Sequence, residues 1–154
     1  MRFDYKGPKK YRWNMPIFDK NMCITERVES GLENVLSAYV EIAKMQSQKT
    51  DNNIENYEIN RVYVLGSGAR CNRIDSDLDL LLIVPRLDIG SANQIRTMMC
   101  LTFFTDRPKR DAIDVFVRDE DIYPERSSVN ITDKVSGLIN NYNRLLLIPE
   151  KIVS

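Results

Sequence analysis

The chain contains no histidine and only three cysteines, Cys23, Cys71 and Cys100. The absence of imidazole excludes a His-based catalytic triad or proton relay and any zinc site that needs histidine. Carboxylates therefore remain the candidate acids, bases and metal ligands. An odd number of widely separated cysteines argues against a disulfide framework and is typical of a reducing compartment. We therefore expect a cytoplasmic protein.

Long apolar runs and an excess of one charge are also missing. No stretch approaches the roughly 20 apolar residues of a membrane span, and the N-terminal segment lacks the apolar core of a signal peptide, so no membrane partner is expected. Lysine plus arginine and aspartate plus glutamate both number 22. Because the net charge is zero, nucleic acid remains a possible partner only through a local patch.

The length and the hydrophobic pattern predict one domain behind a short arm. A chain of 154 residues can bury one core. We expect an aromatic and basic arm over residues 1–24 and the domain over residues 25–154. Apolar spacing predicts a helix from an N-cap at Thr25 to about residue 47. The later segments predict strands at 59–65, 77–84 and 112–118, helices at 91–102 and 130–142, and a last short strand at 145–148. This order is typical of an α/β (α+β) fold with a single mixed β-sheet.

The second strand begins with two acidic residues, Asp77 and Asp79. Residues two apart on a strand face the same way, so these carboxylates project together while Leu78 and Leu80 pack on the other face. Like charges about 4 Å apart cost about 4 kcal/mol at an effective dielectric near 20, so a positive partner is needed. Mg²⁺, or Mn²⁺ in its place, binds such carboxylate oxygens and keeps substrate phosphates in its shell. A solvated strand start or a pair of salt bridges is the alternative interpretation.

Two further features fit phosphate chemistry. Asp114 lies in the otherwise apolar strand AIDVFV, and three carboxylates can hold two divalent ions for an in-line phosphoryl displacement. After the first strand, Gly66 and Gly68 allow a tight turn and close approach of the backbone, and Ser67 Oγ with the following amides can face phosphate oxygens. Arg70 fits either a phosphate contact or a surface salt bridge.

Other motifs fail. The run from Gly66 to Cys71 lacks the last glycine of a dinucleotide fingerprint and the glycine-lysine pair of a P-loop. Leu80 and Arg86 replace the glycine and glutamate that a calcium-binding loop requires. Ser127 and Ser128 have no histidine to activate them, so we expect them in a loop.

The spacing Gly66-Ser67, nine residues, Asp77-x-Asp79, with a later aspartate in a strand, resembles the nucleotidyltransferase superfamily of DNA polymerase β. The run Gly66-Ser67-Gly68-Ala69-Arg70 is similar to its small stand-alone members, and the resemblance covers about residues 59–148. It implies a palm-like fold and transfer of a nucleoside monophosphate from a triphosphate such as ATP. In this resemblance Asp77 and Asp79 bind both metal ions, Asp114 is the carboxylate that assists the attacking hydroxyl, and the turn binds phosphate. Cys71 stands where the small members usually have glycine.

We therefore expect a metal-dependent nucleotidyltransferase that modifies a hydroxyl of a protein, an RNA end or a small molecule and releases pyrophosphate. The chain has little room for an added helical domain, so we expect a protein partner or a homo-oligomer to complete the cleft. The alternative is a non-catalytic nucleotide-binding adaptor that keeps this fold, an interpretation that Cys71 and the aromatic arm favour. A fragment of a longer polymerase-like protein is the third possibility.

Overall fold

Four strands form one mixed sheet in the computed structural model of the chain, which describes residues 16–66, 77–103, 113–120 and 128–149. The strands are β1 (Arg61–Leu65), β2 (Leu78–Ile83), β3 (Ile113–Arg118) and β4 (Ser128–Asn130). Their order across the sheet is β3-β2-β1-β4. β1 runs antiparallel to β2 and β4, whereas β2 and β3 are parallel. The predicted class, a mixed α/β protein with a single mixed sheet, is confirmed at this level.

Three helices accompany the sheet in the described part of the chain: α1 (Glu26–Thr50), α2 (Ile89–Phe103) and α3 (Ser136–Leu147). Short 3₁₀ turns lie at Ile54–Tyr57 and Thr132–Lys134. The parallel pairing of β2 with β3 needs a crossover, and α2 lies in that connection. Within the described ranges, no helix is long and apolar enough to cross a membrane.

The main core lies between the helices and one face of the sheet. The apolar stripe that predicts α1 is fully or almost fully buried there, together with the core-facing residues of the strands and of α2 and α3. A smaller cluster, formed by Leu65, Leu81 and Ile83 with Tyr63 and Phe116, lies on the opposite face. We call this opposite side the second face. Burial on both faces explains why β2 is a nearly continuous apolar run.

A glycine in α1 lets the helix approach the start of β2. A Cβ added at Gly31 would lie 2.7 Å from Leu78 Cδ2, closer than real side chains come. The sequence alone suggests only that Gly31 weakens the helix, because glycine has a low helix propensity. Its presence is explained by packing, since the side chain of Leu78 fills the space next to it.

Polar residues extend α1 beyond the predicted end. Gln46 is buried, donates to Ser91 O (3.1 Å) and Gln94 Oε1 (2.9 Å), and accepts from the Tyr57 hydroxyl (2.8 Å). These bonds tie α1 to α2 and to the following 3₁₀ turn. The polar run after residue 45 therefore continues as helix to Thr50 and ends at Asp51, which has a left-handed φ of 60°.

The segment before α1 is attached through Thr25. The backbone of Thr25 is extended, as predicted for an N-cap, but its hydroxyl makes no cap bond. Instead Thr25 Oγ1 donates to Pro16 O at 2.6 Å and Ile17 O at 3.1 Å. Ile17 and Phe18 are 0% and 1% exposed and belong to the main core. Arm residues 1–15 lie outside the described residues.

The prediction for the C-terminal part is wrong in three places. The expected helix at 130–142 begins only at Ser136, after β4 and the turn at Thr132–Lys134. The expected strand at 145–148 is helical up to Leu147, because Leu145 and Leu146 continue the apolar face that Leu138 and Ile139 begin. A short apolar run fits helix and strand equally well. Ser128, expected in a loop, begins the three-residue strand β4. Such a strand is too short to show a period.

Candidate active site

Strand β2 sets the direction of Asp79. Leu78 and Leu80 enter the main core, whereas Leu81 and Ile83 belong to the cluster on the second face. Because side chains alternate along a strand, Asp79 shares the second face with Leu81 and Ile83. The alternation expected from the sequence is therefore present, and the carboxylate lies on the face away from the helices.

Strand β3 places a second carboxylate beside the first. Asp79 and Asp114 are direct register partners in the parallel pair, and each is the second residue of its strand. Register partners point to the same face of a sheet, and neighbouring strands are about 4.8 Å apart. Asp114 is 9% exposed. Two carboxylates from distant parts of the sequence thus lie side by side near the beginning of two parallel strands.

The end of β1 reaches the same place. Leu65, the last residue of β1, pairs with Asp79. The next residue, Gly66, has a φ of 69°, which favours glycine. A Cβ on Gly66 would lie 2.6 Å from Asp79 Oδ2, so the backbone passes directly against this carboxylate. The glycine expected to begin a phosphate-binding turn is therefore in contact with the carboxylate of Asp79.

Arg96 of α2 contacts this site, although it belongs to none of the motifs found in the sequence. Its Nη2 lies 3.2 Å from Asp114 Oδ1. Its guanidinium carbon lies 4.5 Å from the centroid of the Phe116 ring, in a cation–π contact. α2 packs on the main core through Ile95 and Met99, and Arg96 passes the outer strand β3 of the described sheet to reach the second face.

One signal in the sequence points to Arg96. It is the sole charged residue in the fifteen residues of α2. An isolated charge on an otherwise neutral helix packed on a sheet needs a partner, and the acidic residues of the next strand are candidates. The positive group that the buried carboxylate of Asp114 requires is thus supplied by the chain itself.

Asp77 lies just before β2 and is partly buried. Among the residues that the structure describes, no three Asp, Glu, Cys or His side chains come together closely enough to hold a metal ion. The structure thus brings Asp79 and Asp114 together without gathering a third carboxylate. Ser67, Gly68, Arg70 and Cys71 lie outside the described residues.

The electrostatics of the pair favour a cation. Two carboxylates about 5 Å apart repel each other by about 3 kcal/mol at an effective dielectric near 20. Arg96 offsets this repulsion from one side. The oxygens of Asp79 and Asp114 are also the hard ligands that Mg²⁺ and Mn²⁺ prefer, so their chemistry fits a divalent ion that shares its shell with phosphate.

Comparison of the chain with protein-family models, with curated proteins and with solved structures gives no match.

Proposed function

We propose that the protein is a divalent-metal-dependent nucleotidyltransferase. The observation that supports this most is the register pairing of Asp79 with Asp114, directly beside the close backbone approach at Gly66. A mixed sheet with carboxylates at neighbouring positions of two parallel strands agrees with the palm-like fold that the sequence resemblance implies. The reaction moves a nucleoside monophosphate from a triphosphate such as ATP to a hydroxyl and releases pyrophosphate.

The residues have distinct roles in this proposal. Asp79 and Asp114 hold Mg²⁺ or Mn²⁺, which when bound neutralises the charge that develops on the phosphates. Asp77, which the structure does not cluster with this pair, is the further ligand that the sequence resemblance implies. Asp114 accepts the proton of the acceptor hydroxyl while the bond from its oxygen to the α-phosphorus forms and the bond to pyrophosphate breaks. The turn from Gly66 receives the phosphates, through Ser67, Gly68 and Arg70.

The acceptor and the partner extend the same proposal. The acceptor is a hydroxyl on a protein, an RNA end or a small molecule. Because the sheet and the three helices of the described residues offer little surface to grip both base and acceptor, a second protein or a second copy of the chain completes the cleft. Mixing the chain with candidate partners and measuring the mass of the complex in solution tests this part.

Label transfer tests the reaction. The protein is incubated with Mg²⁺ or Mn²⁺, cell extract and each triphosphate, labelled either at the α- or at the γ-phosphate. Nucleotidyl transfer moves the α-label to an acceptor and leaves the γ-label in pyrophosphate. We expect Asp79→Asn to lower transfer by about 10²-fold or more, since a charge-stabilising group is lost.

Asp119 offers a matched control. It is exposed and lies just beyond the far end of β3. Asp119→Asn removes the same charge and should leave transfer unchanged. Transfer that survives Asp79→Asn, or that carries the γ-label, contradicts the proposal.

The contact between Arg96 and Asp114 favours a second candidate, a non-catalytic adaptor. A guanidinium 3.2 Å from the carboxylate replaces part of the charge that a metal ion would supply. Calorimetric titration with ATP and Mg²⁺ separates the two functions. Nucleotide binding without label transfer in any extract supports the adaptor.

A further inference from the structure

Arg96 is held at the candidate site by two independent contacts. One is the ion pair with Asp114 Oδ1 at 3.2 Å, and the other is the stack on the Phe116 ring at 4.5 Å. The ring lies two residues further along β3 on the same face as the carboxylate. The contact with Phe116 does not involve Asp114, so the guanidinium has a second partner at the site.

We infer that Arg96 is a built-in competitor of the divalent ion: it holds Asp114 while no metal is bound, and the ion must displace it to use that oxygen. This inference rests on the proposed function, because it concerns the same metal site. It adds a regulating residue that the motif of three aspartates does not contain.

The charge balance supports competition rather than cooperation. Arg96 offsets the negative charge of Asp114, one of the two carboxylates of the site. A divalent ion at Asp114 would then face a positive guanidinium a few ångströms away, and like charges at this distance repel strongly in a partly buried site. A metal ion and the guanidinium therefore cannot both bind Asp114 Oδ1 with full affinity.

The exposure of the two side chains sets the size of the effect. The side chain of Arg96 is 28% exposed and that of Asp114 is 13% exposed. Water screens a pair at this depth in part, so the competition is weaker than in a dry interior. We expect removal of the Arg96 charge to tighten divalent binding about tenfold, which corresponds to about 1.4 kcal/mol.

Manganese affinity tests the inference. Mn²⁺ alone is titrated into the full chain at constant ionic strength, and binding is followed by calorimetry and by the Mn²⁺ resonance signal. Arg96→Gln removes the charge but keeps a polar side chain at this position, and Arg96→Met removes both the charge and the polar group. Both variants should bind Mn²⁺ about tenfold more tightly than the wild type.

Two controls separate the contact between Arg96 and Asp114 from the change in net charge. Arg118 lies on β3 four residues after Asp114, which is about 13 Å along the strand. Arg118→Met changes the net charge equally and should leave the Mn²⁺ affinity within about twofold of the wild type, because salt screens a charge that lies farther away than about 10 Å. In an Asp114→Asn background, Arg96→Gln should no longer tighten binding.

Thermal unfolding supplies a second readout, which needs no bound metal when chelator is present. With chelator present, Arg96→Met should melt below the wild type, because the buried carboxylate loses its ion pair. With saturating Mn²⁺ the difference should shrink or reverse. A variant that does not fold is replaced by Arg96→Gln, which keeps a polar side chain at this position.

The outcomes separate this inference from the proposed function. Equal Mn²⁺ affinity in the wild type and Arg96→Gln overturns the inference and leaves the metal site standing. Tighter binding in Arg96→Gln, with no label transfer by any variant, supports the inference and overturns the enzyme. If neither protein binds Mn²⁺, the competition and the metal site are both overturned.

Discussion

Replacing Gly66 with alanine perturbs backbone and site at once. At a φ of 69° an alanine costs about 1–2 kcal/mol, because its Cβ crowds the following carbonyl oxygen. The new Cβ would also lie 2.6 Å from Asp79 Oδ2, about 0.8 Å short of ordinary contact at 3.4 Å. The carboxylate must shift or rotate, and overpacking of this kind typically costs another 1 kcal/mol or more. We expect Gly66→Ala to lower the free energy of unfolding by about 2–3 kcal/mol.

Urea unfolding followed by circular dichroism measures this loss, and Gly137 provides the control. A Cβ at Gly137 in α3 would meet no atom within 4 Å. Alanine there should stabilise the protein by up to about 1 kcal/mol, because alanine has the higher helix propensity. The same chemical change should therefore have opposite signs at the two positions.

A double-mutant cycle separates the backbone strain at residue 66 from the close contact with Asp79. In an Asp79→Ala background the carboxylate is gone, so Gly66→Ala should cost only the backbone part, about 1–2 kcal/mol. An equal cost in both backgrounds would show that the close approach to Asp79 contributes nothing. A stability of Gly66→Ala within about 0.5 kcal/mol of the wild type would contradict both the backbone strain and the contact with Asp79.

Three further predictions concern the helices. Burial raises the pKa of Tyr39 well above its ordinary value, and Tyr57 adds to the shift. Because the unfolded chain loses this proton first, the free energy of unfolding should fall above pH 10 by up to about 1.4 kcal/mol per pH unit. Tyr39→Phe should remove this slope, as measured by urea unfolding. Hydrogen bonds from the first turn of α2 lower the pKa of Asp88, so the stability that its capping contributes is lost as pH falls through that lowered value. Asp88→Asn should make this loss of stability at acid pH smaller, as followed by circular dichroism. Gln46→Leu breaks three hydrogen bonds to groups outside α1 and should cost about 2–3 kcal/mol in urea unfolding, whereas exposed Gln48→Leu should change stability by less than about 0.5 kcal/mol.

Local periodicity predicts most of the fold because each element repeats its apolar side chains at its own spacing. The stripe from Val28 to Ile42 predicts α1, and the alternation around Leu78 and Leu80 predicts which face of β2 enters the core. The extension of α1 through Gln46 could not be predicted, because its partners lie far away in the sequence. The packing role of Gly31 could not be predicted for the same reason, because its neighbour in space, Leu78, is distant in the sequence.

The candidate site is predictable only in its residue types. Acidic residues in apolar strands predict a shared site, but the register that pairs Asp79 with Asp114 depends on how β2 and β3 align. A shift of one residue would turn one carboxylate to the opposite face. Arg96 lies outside every motif of the sequence, and its role follows from the packing of α2 beside β3.

The cation beside Asp114 decides between the two candidate functions. A buried carboxylate needs a positive neighbour whether or not the protein is an enzyme, so the acidic strands alone do not distinguish a catalyst from an adaptor. A guanidinium that never leaves would satisfy Asp114 permanently and prevent it from accepting a proton. In the proposed exchange the guanidinium keeps its contact with Phe116 when the ion takes its place at Asp114. The energy of that exchange, which the Mn²⁺ titrations measure, therefore sets whether this pair of carboxylates can take part in phosphoryl chemistry.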